Sequence, residues 1–281
     1  MGGPSAAARP VTAVAWIDGG RSVLVRRLGV GFEVLGLDGG GRTVSVPGAV
    51  FAWDASPSGR YVVVSTASIP EPPRSAIVSL EGGSVDLGAV ALTPVVSSDG
   101  TTIRLFRGDG SIRIVDPSGA VLSDWAPSDF SPGGSARASW SPSGRLIFDT
   151  RIDQTAAVLD ATSGAVTSFP DLAGTPMTRW FDDDHLVAGR SGSSDAIPNW
   201  IEIRDIHTGE STLVTSNAGW PVAMRGTGLI AVSSLANGTI DVVRADGSGR
   251  RPVLVVGAGY RTTPVVWSPD QQLLVVSVCA M

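Results

Sequence analysis

The stretch 138–149, ASWSPSGRLIFD, recurs in worn form about seven times along the 281-residue chain, and no other feature limits the fold as tightly. It reads as a short apolar strand ending in Trp140, a Ser141-Pro142-Ser143-Gly144 turn, and a second apolar strand from Leu146 to Phe148. With the turn glycine as marker, the equivalent positions are Gly20, Gly59, Gly100, Gly144, Asp184, Gly228 and Gln271, spaced 39, 41, 44, 40, 44 and 43 residues apart. A period of about forty residues is the length of one four-stranded propeller blade.

Around each marker the hydrophobic pattern repeats. A short apolar strand precedes it, and in five of the seven copies that strand ends in tryptophan: Trp16, Trp53, Trp140, Trp180 and Trp267. A β-branched run such as SVLV, YVVV or LLVV follows it and predicts the second strand of a hairpin. Third strands are clearest in SIRIVD, TAAVLD, WIEIRD and TIDVVRA, which run into a further turn and a fourth strand. Alternation with period two is visible in IRIV and IEIR, and helical periodicity is found nowhere. The expectation is an all-β chain: a β-propeller of about seven four-stranded blades occupying residues 11–281, preceded by a flexible segment, residues 1–10. In such a ring the repeated tryptophans fill the seams between neighbouring blades.

These residues carry a family resemblance. WSPSG followed by LIF, and WSPD followed by LLVV, resemble the phrase of TolB-type propellers, whose blades begin with a Trp-Ser-Pro-Asp-Gly turn and an apolar strand. The chain also resembles the broader WD-repeat-like class, without the Gly-His and Trp-Asp dipeptides of true WD repeats. The matching residues serve packing and turns, so the resemblance implies a fold and leaves function open. It weakens in blade five, where Phe181-Asp182-Asp183-Asp184-His185 replaces the turn, and in blade six, where Met224-Arg225-Gly226-Thr227-Gly228 does.

The repeat does not close evenly. After the seventh marker only enough chain remains for the inner strands of a last blade, and the Gly, Pro and Ala of MGGPSAAARP make a poor strand to complete it. The expectation is an incomplete seventh blade, or a chain that is a piece of something longer.

Composition narrows the chemistry. All 21 basic residues are arginine, which excludes lysine Schiff bases and a P-loop lysine, and the net charge of -5 without a basic cluster argues against a nucleic-acid partner. A single cysteine, Cys279, cannot form an internal disulfide. Neither a signal-peptide core nor an apolar run of membrane-span length is present, so the sequence as written reads as soluble and cytoplasmic; as a fragment of a larger protein it would read as envelope or secreted. Cofactors and metals are not expected. His185 and His207 both fall in turns of blade five, where an acidic solvated turn explains them, and there is no Gly-x-Ser-x-Gly elbow.

Loops joining strands two and three, and those leading from strand four to the next blade, open on one face of a propeller. That face carries the mouth of the central channel, where ligands usually bind. The segments 66–75, 124–137 and 190–199 read as its long loops. Arg26, Arg107, Arg151 and Arg190 end second strands in four blades and would form a partial cationic rim suited to a carboxylate or phosphate, with solvated ion pairs as the plainer account. Four aromatics outside the repeat register, Trp125, Trp200, Trp220 and Tyr260, are candidate anchors for a partner. The leading expectation is a non-catalytic platform that binds a protein or a small anionic ligand at this face. The alternative is a lyase or ring-forming enzyme with Asp149 or Asp153 as base and Arg107 or Arg151 stabilising negative charge.

Overall fold

The structure, a computed structural model, describes residues 11–27, 31–46, 49–68, 71–89, 91–107, 111–125, 139–150, 156–172, 177–190, 199–224, 226–234, 238–257 and 259–280. The strands form seven antiparallel sheets arranged as a β-propeller. Six have four strands in sequential order, within residues 11–44, 49–89, 91–125, 139–169, 177–216 and 218–255; the seventh has two, Tyr260–Trp267 and Leu274–Ala280. Among the described residues the last sheet has the two inner strands expected from the repeat. The ten residues before Val11 lie outside the described ones.

The repeated phrase folds as it does because its serine and its glycine each do one job. Ser56, Ser97, Ser141 and Ser268 are buried, and each hydroxyl accepts the backbone N–H five residues on, from Tyr61 (3.2 Å), Thr102 (3.0 Å), Leu146 (3.2 Å) and Leu273 (2.9 Å). The same serines donate their backbone N–H to the carbonyls of those same residues. The marker residue takes the left-handed conformation that lets the chain reverse: φ is 71° at Gly59, 72° at Gly100, 74° at Gly144 and 61° at Gln271. At Gly59 a side chain is excluded twice over, since an added Cβ would stand 2.9 Å from the backbone nitrogen of Asp18 in the preceding blade. Blade five solves the turn differently: Phe181 N–H bonds to the carbonyl of His185 at 2.9 Å and the Asp182 carboxylate accepts the N–H of Asp184.

Four of the turns between third and fourth strands rest on one aspartate each. Asp116, Asp160, Asp205 and Asp246 accept the N–H two residues on, at 2.7 to 2.9 Å. In Asp160 the N–H of Ser163 and the guanidinium of Arg145 add to this and hold its carboxyl at about 2.

The core is divided among the seams. Six apolar clusters each join the facing sides of two consecutive blades, from blades one and two round to blades six and seven. Period-two alternation assigns each residue its seam: Val96 packs toward blade two and its neighbour Val95 toward blade four. The tryptophans stitch the seams. The indole N–H of Trp140 donates to the carbonyl of Val95 (3.1 Å), that of Trp180 to Ser139 (3.0 Å), and that of Trp267 to Val222 (3.2 Å), in each case in the preceding blade. Trp16 does the same to Val266 and so joins blade one to blade seven. Trp53 instead meets Phe32 of blade one edge to face, with ring centres 4.9 Å apart.

One expectation is corrected. Residues 66–75 are not simply a long loop, because the strands Tyr61–Ser68 and Glu71–Ser79 reach far into it and pair Thr66 with Arg74 and Ser68 with Glu71. Pro72 and Pro73 made a strand look improbable. The ladder tolerates them because its register is irregular between Thr66 and Ser68.

Candidate functional site at the channel mouth

The mouth face collects the beginnings of first and third strands and the ends of second and fourth strands. Blades six and seven place Trp220, Tyr260 and Arg261 there. Trp220 lies near the start of the first strand of blade six, Ala218–Met224, where the ladder to the second strand slips between Gly219 and Val222. At this bulge Trp220 holds φ at 47°, a left-handed conformation that costs a bulky L-residue about 1–2 kcal/mol. The guanidinium of Arg261, second residue of the first strand of blade seven, lies 5.1 Å from the centre of the Trp220 ring. Tyr260, the residue before Arg261 in the strand and so on the alternate face, has 43% of its surface exposed.

The backbone beneath this shelf is fixed. Ser233 Oγ donates to the carbonyl of Thr262 at 2.6 Å, and Thr262 Oγ1 donates to the carbonyl of Thr239 at 3.1 Å, both within buried surroundings. Gly238 completes the clamp: an added Cβ there would meet the carbonyl oxygens of Gly257 at 2.6 Å and Tyr260 at 2.7 Å, so the chain entering blade seven presses on a residue that must lack a side chain. Arg261 and Trp220 therefore stack on a support tied to blade six from two sides.

The other expected site residues are placed as follows. Arg26 donates to the carbonyl of Val50 in blade two, and enclosure lowers the pKa of its guanidinium. Arg190 donates to the carbonyl of Asp171 and lies 3.4 Å from Glu202, while Arg204 pairs with the Asp171 carboxylate at 2.6 Å. Both rim arginines described are thus engaged across blade seams. Trp200 is half-buried opposite Arg190 and Ser216 in the ladder of blade five. Arg107, Trp125 and Asp149 occupy strand positions opposite Ala91, Ile112 and Ala157, and their side chains fall outside the described atoms. Arg151 and Asp153 lie outside the described residues, as do most of the segments 124–137 and 190–199.

At the opposite face, His185 Nδ1 is 2.8 Å from Asp182 and His207 Nε2 is 2.9 Å from Asp184. Among the described residues no group of three or more His, Cys, Asp or Glu is arranged to hold a metal ion. A cleft of about 710 Å³ opens between the outer strands of blades one and two, with Val44, Val46 and Leu80 beside the Arg74–Asp86 ion pair.

Sequence reasoning missed a charged group inside the ring. Asp54, on the first strand of blade two, accepts the N–H of Val96 in blade three at 2.8 Å and that of Ala55 at 2.8 Å. Burial pushes its carboxyl up to about 6, against the pull of those two N–H groups and of the Arg104 guanidinium. Arg104 itself is fully buried on the side of blade three that faces blade four. Tyr61 donates its hydroxyl to the carbonyl of Gly100 at 2.8 Å, and burial beside Asp54 and Asp99 raises its pKa. The signal was present in TIRLF, where alternation sets Arg104 against Ile103 and Leu105 on a strand with no solvated side.

No protein-family model matches the chain, and no curated protein matches it. Among solved structures it is similar to a chain of "Crystal Structure of Mitotic Checkpoint Complex", with a TM-score of 0.67 and 14% sequence identity over 95% of this chain and 87% of that one. At that identity the likeness concerns the fold alone. Among the described residues no helix is long and apolar enough to cross a membrane.

Proposed function

We propose that this propeller is a non-catalytic binding platform whose mouth face engages a protein partner or an anionic ligand through Trp220, Arg261 and Tyr260. The observation that carries the reading is Trp220 itself: a bulky residue held in a left-handed conformation at a bulge, with a cation stacked on its ring, at the end of blade six where the exposed Tyr260 opens the first strand of blade seven. Strained backbone persists where the surrounding structure over-determines it and gathers at ligand clamps. An aromatic face backed by a guanidinium offers an apolar plane and a forked donor together, which suits a carboxylate-bearing side chain or chain end. Arg26 and Arg190 act in this reading as seam braces that keep the mouth rigid. That the similar propeller chain comes from a structure of a protein complex is consistent with a platform role.

The test is a thermal-shift screen of dicarboxylates, sugar phosphates and acidic peptides against the native chain and against Trp220→Ala and Arg261→Ala. The reading expects at least one compound that stabilises the native protein and neither variant. Stabilisation that survives both substitutions would move the site elsewhere.

A further inference from the structure

At one level of the seams a third-strand side chain faces the preceding blade, and in three blades it is charged and paired. Arg113 of blade three, opposite Leu105, binds the Asp124 carboxylate through Nε at 3.1 Å and Nη2 at 2.7 Å. Glu202 of blade five, opposite Ala188, lies 3.4 Å from Arg190, and Asp241 of blade six, opposite Val232, accepts from Arg250 at 2.8 Å. The equivalent residue of blade two is Ala76, opposite Val64. The fourth strand there keeps its acid, since Asp86 stands opposite Ala76 as Asp124 stands opposite Arg113. Blade two thus has the carboxylate of this pairing without a guanidinium at the facing position.

The cleft of about 710 Å³ between the outer strands of blades one and two lies at this place. Val64 and Val78, both buried, and the half-buried Val44 of blade one give it an apolar floor, and Ala76 is left partly open there. Blade four also has alanine at this position, Ala157, but packs it fully into the seam. Three charged residues line the cleft, Arg74, Glu81 and Asp86, so two carboxylates stand against one guanidinium. Arg42, which faces this seam from blade one, is engaged with the carbonyl of Leu80. Arg74 reaches Asp86 Oδ2 from the next position of the face, and both side chains are at least half exposed, so the pair is solvated and contributes little. The other Asp86 oxygen accepts the N–H of Gly88 at 2.9 Å, which together with Arg74 holds the carboxyl below its ordinary range and keeps it anionic.

We propose that this cleft binds a small organic cation, a primary amine or guanidinium on an apolar body, whose head takes on Asp86 the place that Arg113 holds on Asp124 and whose body lies on Val44, Val64 and Val78. A volume of about 710 Å³ is in the range of small-ligand sites and well beyond a single arginine side chain, so an arginine from a partner protein would leave most of it unfilled. An anion would meet two carboxylates with only Arg74 to receive it. The site uses none of the mouth residues, so it stands or falls apart from the reading of Trp220 and Arg261.

The experiment titrates the whole chain with phenylbutylamine, phenylbutanol and phenylbutyrate, which share one body and differ in the head group, and with N-acetylarginine amide as a stand-in for a partner's side chain. Methyl spectra of the valine-labelled protein read both place and affinity. The proposal expects the amine to shift the methyls of Val44, Val64 and Val78 and to bind about fivefold more tightly than the alcohol, as one partly exposed ion pair allows, with the acid weakest. Asp86→Asn should remove the advantage of the amine over the alcohol. Ala76→Arg builds into blade two the pair that blade three already has, so it should keep the urea midpoint and abolish the methyl shifts. No shift of these methyls at millimolar amine, equal binding of amine and alcohol, an advantage that survives Asp86→Asn, or binding that survives Ala76→Arg would overturn the proposal. Tighter binding of N-acetylarginine amide than of the amine would also overturn it, in favour of a partner's arginine.

Discussion

The indole nitrogen of Trp16 donates to the carbonyl of Val266 at 3.3 Å, across 250 positions of sequence. Three internal seams carry the same bond, from Trp140 to Val95, Trp180 to Ser139 and Trp267 to Val222. The join between the first and last blades is thus made by the device that joins consecutive ones.

Truncating Trp16 should accordingly be as harmful as truncating an interior tryptophan. Trp16→Ala and Trp140→Ala are each expected to cost about 3–5 kcal/mol in urea unfolding. Trp16→Phe keeps most of the burial and loses the hydrogen bond, which predicts a cost nearer 1 kcal/mol from that bond alone. A Trp16→Ala variant as stable as the native chain would mean the seam contributes nothing.

Gln271 stands where other turns of the same kind have glycine, with φ at 61°. Relief of about 1–2 kcal/mol of left-handed strain exceeds the roughly 0.4–1 kcal/mol that glycine adds to the entropy of the unfolded chain. Gln271→Gly should therefore raise stability by up to about 1 kcal/mol, and Gly144→Ala should lower it. Both are read from denaturant midpoints.

Asp54 gives the fold a pH dependence of defined sign. Its carboxyl titrates near 6 in the folded chain against an ordinary value of 3.8, so the folded state holds the proton more tightly. Its contribution is therefore most favourable below pH 4 and is lost as pH rises through 6, on the order of 2–3 kcal/mol. Asp54→Asn cannot titrate. The stability difference between native and variant should shift in favour of the native chain between pH 7.5 and pH 4.5; a difference independent of pH would show that the carboxyl is not so perturbed.

Why so much of the ring was legible follows from what its blades require. A turn that needs a buried serine and a left-handed glycine, as at Ser141 and Gly144, and a seam that needs a tryptophan, as at Trp180, leave fixed residue types at fixed spacing. The mouth shelf was half legible. Trp220 and Tyr260 stood outside the repeat register and so drew notice, but Arg261 is one arginine among 21 and only the fold brings it over the Trp220 ring. Arg104 was legible in the alternation of TIRLF and went unread, whereas Asp54 was missed because its burial at a seam depends on the neighbouring blade, which a single strand does not encode. The strand through Pro72 and Pro73 was missed because proline was taken at its ordinary weight without the ladder irregularity that accommodates it.

Closure of the ring at Trp16 and Val266 is tested most directly by native-state hydrogen exchange on the native chain and Trp16→Ala. If the two blades are joined as described, the variant loses protection together in the first strand of blade one and in Tyr260–Trp267, while Leu146–Thr150 on the far side changes little. Loss confined to blade one, with Tyr260–Trp267 as protected as before, would contradict a closed ring.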